Sequence, residues 1–146
     1  MAIVGQLLDG KGRDVWSIAP NAPVIDALKL MADKGVGALV VVENGKMIGI
    51  FSERDYVRKV ALFDKDAKKT PVKELMSENV VHIHEERPIE ECMTLMTAKR
   101  VRHLPVMTKD HQTMVGVISI GDVVKWLVSD KDFLIQQLAN YITGDR

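Results

Sequence analysis

The chain has 146 residues, and its 20 Lys and Arg residues are balanced by 20 Asp and Glu residues, so the formal net charge is zero. This balance disfavours a general nucleic-acid binder, because such proteins usually carry a clustered basic excess. The single cysteine excludes a disulfide framework and a cysteine-rich zinc site. No apolar run approaches the roughly 18 residues of a membrane span. The N-terminus has no basic region followed by an apolar stretch, so we expect a soluble, cytoplasmic protein that has no contact with a membrane.

The most informative feature of the sequence is an internal repeat, in which residues 80–124 echo residues 15–57. A weaker echo precedes each copy, as VGQLL at 4–8 and VKELM at 72–76, and a charged stretch joins the copies. We therefore predict four segments: a first repeat with its lead-in (1–63), a linker (64–71), a second repeat (72–128) and a C-terminal amphipathic helix (129–146).

Each repeat has the pattern strand, helix, strand, strand, helix. A short strand is predicted at 15–18 and again at 81–83. Pro23 and Pro88 then suit the first turn of a helix, and apolar residues follow them at helical spacing. The unbroken apolar run at 38–42 predicts a strand buried on both faces, and Asn44-Gly45 predicts a tight hairpin turn into a return strand at 46–51. A second helix is predicted to begin at Ser52.

Two further elements depart from the simple repeat. Pro105 stands where the first copy has Val40, so we expect it at a strand position whose N–H is not needed. Residues 131–142 predict an amphipathic helix stopped by Gly144. Its residues at helical spacing are Phe133, Leu134, Gln137, Leu138 and Tyr141.

The motif that carries chemistry is Gly-x-x-Ser-x-x-Asp, which occurs as GIFSERD at 49–55 and GVISIGD at 116–122. Its simplest interpretation is a capping box, with Ser as the N-cap and Asp three residues later. A helix N-terminus is also an anion site, because its first N–H groups are free and its dipole is positive there. A Ser hydroxyl can donate to a phosphate, a carboxylate can accept from both ribose hydroxyls, and Gly49 and Gly116 leave room for a close approach. The duplication predicts two related sites.

The order of these motifs resembles the cystathionine-β-synthase (CBS) domain, and the chain resembles a stand-alone tandem pair of the bacterial type. VGALVV at 36–41, VRHLPV at 101–106 and the two Gly-x-x-Ser-x-x-Asp segments carry the resemblance. It implies an α/β fold of two pseudo-symmetric β-α-β-β-α repeats packed sheet to sheet, with helical extensions at both ends. It also implies two clefts between the repeats that bind adenosine-containing ligands.

The resemblance implies a role for particular residues in these clefts. Asp55 and Asp122 would bind ribose, and the residues facing the phosphates would be Ser52, Arg54, Ser119 and Gly121. Adenine would be held by backbone at Val80 and Val81 for the Asp55 site, and at Val15 and Trp16 for the Asp122 site. Gly37, Ala38, Arg102 and His103 would line the space between the sites, and Lys11 would contact a phosphate.

The two predicted sites differ in charge. The first motif contains Arg54 and is followed by Arg58 and Lys59, whereas the second has Gly121, Lys125 and Trp126 at the same places. The Asp55 site would therefore hold a multiply charged phosphate better, and the Asp122 site would suit AMP or one end of a dinucleotide. The alternative is that these cations merely solvate a helix face.

Other residues have ordinary structural explanations. His82 and His84 lie on one face of a predicted strand, but the sequence shows no third ligand beside them, so we expect no metal site. Cys92 takes the place of Ala27 on an apolar helix face, so we expect a buried core residue.

The sequence therefore predicts a regulatory sensor and not an enzyme. Its ligand would be AMP, ADP, ATP or NAD(P), bound without chemical change, and its output would pass to an unidentified regulated protein. The exposed faces of residues 56–61 and 123–127 are expected to form a homodimer. The alternatives are a dimerising scaffold without ligand, an S-adenosylmethionine binder and a nucleic-acid binder.

Overall fold

The computed structural model describes residues 2–143 of the chain. In chain order its helices and strands are α1 (Val4–Lys11), β1 (Ser17–Ile18), α2 (Val24–Lys34), β2 (Ala38–Glu43), β3 (Lys46–Ser52), α3 (Glu53–Asp55), a π-helix (Tyr56–Ala61), a 3-10 helix (Val72–Glu74), β4 (Ile83–His84), α4 (Glu90–Lys99), β5 (His103–Met107), β6 (Met114–Ser119) and α5 (Ile120–Thr143). No helix among these residues is long and apolar enough to cross a membrane.

The described chain divides into two compact units. Residues 14–81 form the first unit, and residues 2–13 together with 82–143 form the second. Each unit contains a three-stranded sheet, in the order β1-β2-β3 or β4-β5-β6. In both sheets the first pair of strands is parallel and the second pair is antiparallel. The predicted α/β class with two copies of one β-α-β-β-α pattern is confirmed.

The central strand and hairpin of the first unit follow the sequence closely. Leu39, Val40 and Val41 are at most 1% exposed, as an unbroken apolar run predicts for a strand covered on both faces. Asn44 and Gly45 both have positive φ, 52° and 77°, which is the backbone of a type I′ turn. This turn pairs Glu43 with Lys46, and a bulge between Val41 and Val42 then shifts the register by one residue, so that Ala38 lies opposite Ser52 at the far end of the hairpin.

The two lead-in segments are residues 4–8, before the first repeat, and residues 72–76, before the second. Residues 4–8 pack on the second repeat, and residues 72–76 pack on the first. In the second unit, Val4 N–H donates to Arg87 C=O at 2.9 Å and Gly5 N–H to Glu85 C=O at 2.8 Å. In the first unit, equivalent bonds join Val72 N–H to Ala22 C=O at 2.8 Å and Lys73 N–H to Pro20 C=O at 2.9 Å. The segment limits predicted from the sequence stay a prediction, but the compact units do not follow the order of the chain.

The motif glycines allow this packing. A Cβ at Gly49 would lie 2.6 Å from Met76 Sδ and 2.9 Å from Ser77 C=O, and a Cβ at Gly116 would lie 2.7 Å from a Leu8 methyl group. Leu8 and Met76 are equivalent positions of the two lead-ins. The room that we expected these glycines to leave for a ligand is thus occupied by a lead-in segment of the same unit.

Pro105 lies in the central strand β5, opposite Val117 of β6. In the first copy, Val40 N–H at this position donates to Trp16 C=O at 3.1 Å, and the parallel pairing begins there, opposite Ser17. Because proline has no N–H, the pairing of β4 with β5 begins one residue later, at Ile83 opposite Val106. Pro105 therefore lies, as predicted, at a strand position whose N–H is not needed.

The helices after the two motifs differ from each other and from the prediction. After the first motif, one turn of α-helix passes into the π-helix Tyr56–Ala61. After the second, α5 continues for 24 residues, so the helix expected separately at 131–142 is its second half. No glycine or proline lies between Asp122 and Thr143 to interrupt it. Gly144 and the side chains of Phe133, Leu134 and Gln137 lie outside the described residues.

Candidate functional site

The first motif places a carboxylate at the start of a helix. Ser52 is the N-cap of α3, and its backbone N–H donates to Asp55 Oδ2 at 2.9 Å. In return, Asp55 N–H donates to Ser52 Oγ at 3.3 Å. This reciprocal pair is the predicted capping box, and it fixes the Asp55 side chain against the strand-to-helix turn.

The second motif repeats the geometry. Ser119 N–H donates to Asp122 Oδ2 at 2.8 Å, and Asp122 N–H donates to Ser119 Oγ at 3.2 Å. Both carboxylates are therefore held at a helix N-terminus by their own backbone. Such a site combines a fixed acceptor for hydroxyl groups with the positive end of the helix dipole.

The residues that open the central strands lie beside these motifs. Glu53 N–H donates to Gly37 C=O at 3.0 Å, and Ala38 is paired with Ser52. In the second unit, Ile120 N–H donates to Arg102 C=O at 2.8 Å, and His103 is paired with Ser119. Gly37, Ala38, Arg102 and His103, which the sequence predicted near the sites, each adjoin the motif of their own unit.

Asp55 has two further partners in the first unit. Ser77 Oγ lies 3.3 Å from Asp55 Oδ1, and Lys59 Nζ lies 3.5 Å from the same oxygen. Lys59 Nζ also donates to Leu75 C=O at 2.9 Å. Ser77 was not predicted from the sequence, although it directly follows VKELM at 72–76, because this echo does not show on which repeat the segment packs.

Asp122 has a different cation, Lys11 from the last turn of α1. Lys11 Nζ lies 2.5 Å from Asp122 Oδ2 and 2.5 Å from Val117 C=O. Burial alone would raise the pKa of Asp122, but hydrogen bonds from Lys11 and from Ser119 N–H outweigh it and hold the pKa below its usual value. The sequence predicted that Lys11 contacts a phosphate, whereas here Lys11 binds the motif carboxylate. The sequence pattern placed more cations beside Asp55 than beside Asp122, but Lys11 adds a positive charge at the Asp122 site.

His103 adjoins this ion pair in the second unit. Burial lowers the pKa of His103, and the positive charge of Lys11 lowers it further, while Asp122 acts in the opposite direction. Its imidazole is therefore protonated less readily than that of an ordinary histidine.

The remaining predicted residues are placed as follows. Val80 and Val81 are half-buried and belong to the first unit with Asp55, and Arg54 of the first motif is also half-buried. Trp16 is 36% exposed, and Lys34 Nζ lies 4.5 Å from the centre of its ring. Gly121 is exposed in the first turn of α5. Val15 and Trp16 belong to the first unit, so their role at the Asp122 site stays a prediction.

The structure adds a third histidine to the pair that the sequence singled out. His82 Nε2 lies 3.0 Å from His111 Nδ1, and the His84 ring packs edge-on against His111. Within residues 2–143, no group of three or more His, Cys, Asp or Glu side chains is arranged to hold a metal ion. Cys92 is fully buried, and burial raises the pKa of its thiol to about 12, as suits a core residue.

Comparison with known proteins identifies both repeats. The family model of the CBS domain matches residues 11–62 and 72–129. A mitochondrial CBS domain-containing protein of Arabidopsis thaliana, CBSX3, is 41% identical over 143 residues, which are 92% of this chain and 68% of that protein. The crystal structure of a CBS-domain containing protein from Agrobacterium tumefaciens is 38% identical, with a TM-score of 0.79, and the match covers 85% of this chain and 98% of that chain.

A more distant solved structure was determined with a ligand. A CBS domain protein from Pyrobaculum aerophilum, complexed with AMP, has a TM-score of 0.73 over 83% of this chain and 89% of its own, at 22% identity. At this identity the similarity establishes a shared fold.

Proposed function

The chain belongs to the CBS domain family as a tandem pair, and we propose that it is a regulatory, non-catalytic module that binds adenosine-containing ligands at its two Ser-x-x-Asp motifs. The observation that carries this proposal is the duplicated geometry: two carboxylates, Asp55 and Asp122, are each fixed by a capping box at the end of a strand and the start of a helix. A cap needs only one carboxylate oxygen, so the second oxygen of each group can accept a hydroxyl.

We call the motif aspartate of each unit, together with the groups around it, a half-site. The chemistry of the two half-sites supports a ligand that carries a ribose and a phosphate. A fixed carboxylate accepts hydrogen bonds from the vicinal hydroxyls of a ribose, and a helix N-terminus with a nearby ammonium group favours a phosphate. Lys59 and Lys11 supply that ammonium group beside Asp55 and Asp122 respectively. AMP, ADP, ATP and NAD(P) all carry these groups, and AMP is the ligand of the Pyrobaculum protein. S-adenosylmethionine lacks the phosphate, so we regard it as the weaker candidate.

The proposed mechanism is a shift between conformations that differ in affinity for the ligand. A ligand can shift such an equilibrium only by its differential affinity for the two states. We propose that the shift is read by another protein, and that the chain acts as a homodimer. The exposed apolar side chains Val57 and Val124, which take equivalent places after the two motifs, support the dimer because they are 59% and 44% exposed. The proposed compartment is the cytoplasm, where the single, buried thiol of Cys92 would stay reduced.

A thermal-shift screen with AMP, ADP, ATP, NAD⁺ and S-adenosylmethionine tests the proposal. A ligand present at a hundred times its dissociation constant should stabilise the folded chain by about 2.7 kcal/mol. We expect the shift to shrink in Asp55→Ala or Asp122→Ala and to vanish in the double variant. A shift that persists in the double variant would refute the proposed sites. No shift with any compound, from protein that native mass spectrometry shows to be ligand-free, would favour a dimerising scaffold.

A further inference from the structure

The contact between Lys11 and Asp122 distinguishes the second motif from the first. The Lys11 ammonium group has two acceptors, Asp122 Oδ2 and Val117 C=O, each at 2.5 Å. Its side chain is 35% exposed and that of Asp122 is 26% exposed, so the pair is only partly solvated. Asp122 Oδ2 already accepts Ser119 N–H at 2.8 Å, so Lys11 is the second donor on an oxygen that the helix cap also uses.

Lys11 is held in this position by its helix. It is the last residue of α1, which the backbone bonds of Val4 and Gly5 join to residues 85–87 of the same unit. Leu8, one turn before Lys11, packs against Gly116 at the start of the motif. Because α1 is held by these backbone bonds and by the buried side chain of Leu8, the Lys11 ammonium group is held close to Asp122.

The first motif has a looser arrangement. Lys59 Nζ lies 3.5 Å from Asp55 Oδ1, beyond a strong hydrogen bond, and its shorter contact is the 2.9 Å bond to Leu75 C=O. That oxygen also lies 3.3 Å from the neutral hydroxyl of Ser77. A ligand whose hydroxyls bind both oxygens of a motif carboxylate therefore meets a hydrogen-bonded ammonium group at Asp122, but only a longer ammonium contact and a hydroxyl at Asp55.

We propose that Lys11 is an internal competitor for the Asp122 carboxylate and makes this half-site selective for phosphorylated over unphosphorylated adenosine ligands. This inference rests on the proposed function. A ribose whose two vicinal hydroxyls donate one to each oxygen of Asp122 must share Oδ2 with the Lys11 ammonium group or displace it. A displaced, partly buried cation without an anion is unfavourable. A phosphate on the same ligand gives Lys11 a new anionic partner, whereas an unphosphorylated nucleoside gives it none.

Isothermal titration calorimetry with adenosine and AMP tests this role. The experiment uses the full chain in an Asp55→Ala background, so that only the Asp122 half-site binds, and compares Lys11 with Lys11→Met and Lys11→Arg. In Lys11→Met we expect adenosine to bind more tightly and AMP more weakly, so that the ratio of their affinities falls by about tenfold or more, as expected for one charge-assisted contact. Lys11→Arg keeps the cation and should keep most of the ratio.

Lys109→Met is the matched control, because Lys109 forms an exposed ion pair with Glu86 at 3.4 Å in the same unit. It should leave both affinities unchanged. Binding of both ligands with an affinity ratio that Lys11→Met does not change would overturn the inference and leave the proposed function intact. Absence of binding by adenosine and AMP in every variant and in the parent chain, together with no shift for any compound of the thermal-shift screen, would overturn the proposed function and this inference with it.

Discussion

At the scale of single residues, the two motif aspartates share a backbone geometry but differ in their cations. Both accept the N–H of the serine three residues earlier, as the spacing of the motif predicts. The cation beside Asp55 comes from one helical turn later, at Lys59, and could be predicted from that spacing. The cation beside Asp122 comes from Lys11, more than a hundred residues earlier, and no local pattern could pair these two residues.

The charges of Lys11 and Asp122 affect the pKa of His103. Burial and the Lys11 charge hold it below the usual value of 6.5. The unfolded chain therefore takes up a proton at higher pH than the folded chain, and His103 destabilises the fold as the pH falls below 6.5. We expect Lys11→Met to raise the pKa of His103 in an NMR titration of the imidazole protons. An unchanged His103 pKa in Lys11→Met would contradict the contact, and Lys109→Met is again the matched control.

At the scale of elements, the sequence predicts what is local. The apolar run at 38–42, the Asn44-Gly45 turn and the return strand all have the predicted type, because strand burial and turn geometry depend on neighbouring residues. The exchange of lead-ins was not predictable in this way. VGQLL and VKELM have the same apolar spacing, so their sequences do not show which sheet each packs on. In the structure, Leu8 packs at Gly116 and Met76 at Gly49.

Gly116→Ala tests this packing. The new Cβ would lie 2.7 Å from a Leu8 methyl group, which is too close for the buried leucine to stay in place. We expect a loss of about 1–3 kcal/mol in the free energy of unfolding, the usual cost of an overpacked core. Urea denaturation measures the change.

Gly10→Ala provides the control in the same structure. Gly10 lies in α1, where an added Cβ meets nothing within 4 Å, so alanine should leave stability unchanged or raise it slightly. Equal stability of the Gly116→Ala chain and the parent chain would show that α1 does not pack on the motif as described.

At the scale of the whole molecule, the repeat determined most of the fold. Two copies of one pattern predicted two equivalent sheets, and both are present with the same strand order. The two copies differ in the helix that follows each hairpin. The first motif leads into a π-helix before the charged linker, whereas α5 continues for 24 residues. A repeat in sequence specifies the shared core, but not how far each last helix extends.

The proposed homodimer can be tested on the equivalent surface residues. Charged side chains at Val57 and Val124, which are 59% and 44% exposed, should not disturb either core but should disrupt an apolar interface. We expect Val57→Glu with Val124→Glu to halve the mass found by light scattering after size exclusion. Lys29→Glu, at an exposed position of α2, is the control for added negative charge. A parent chain with the mass of a monomer would refute the dimer.

We propose that each motif aspartate binds one adenosine ligand, and calorimetric titration with AMP measures the number of ligands bound. The stoichiometry should be two ligands for each wild-type chain, one for Asp55→Ala or Asp122→Ala alone, and none for the double variant. Circular dichroism should show that all four proteins stay folded. Undiminished binding by the folded double variant would rule out these aspartates as the binding sites. No binding by the ligand-free wild-type chain to AMP or to any other phosphorylated adenosine ligand would rule out the proposed function.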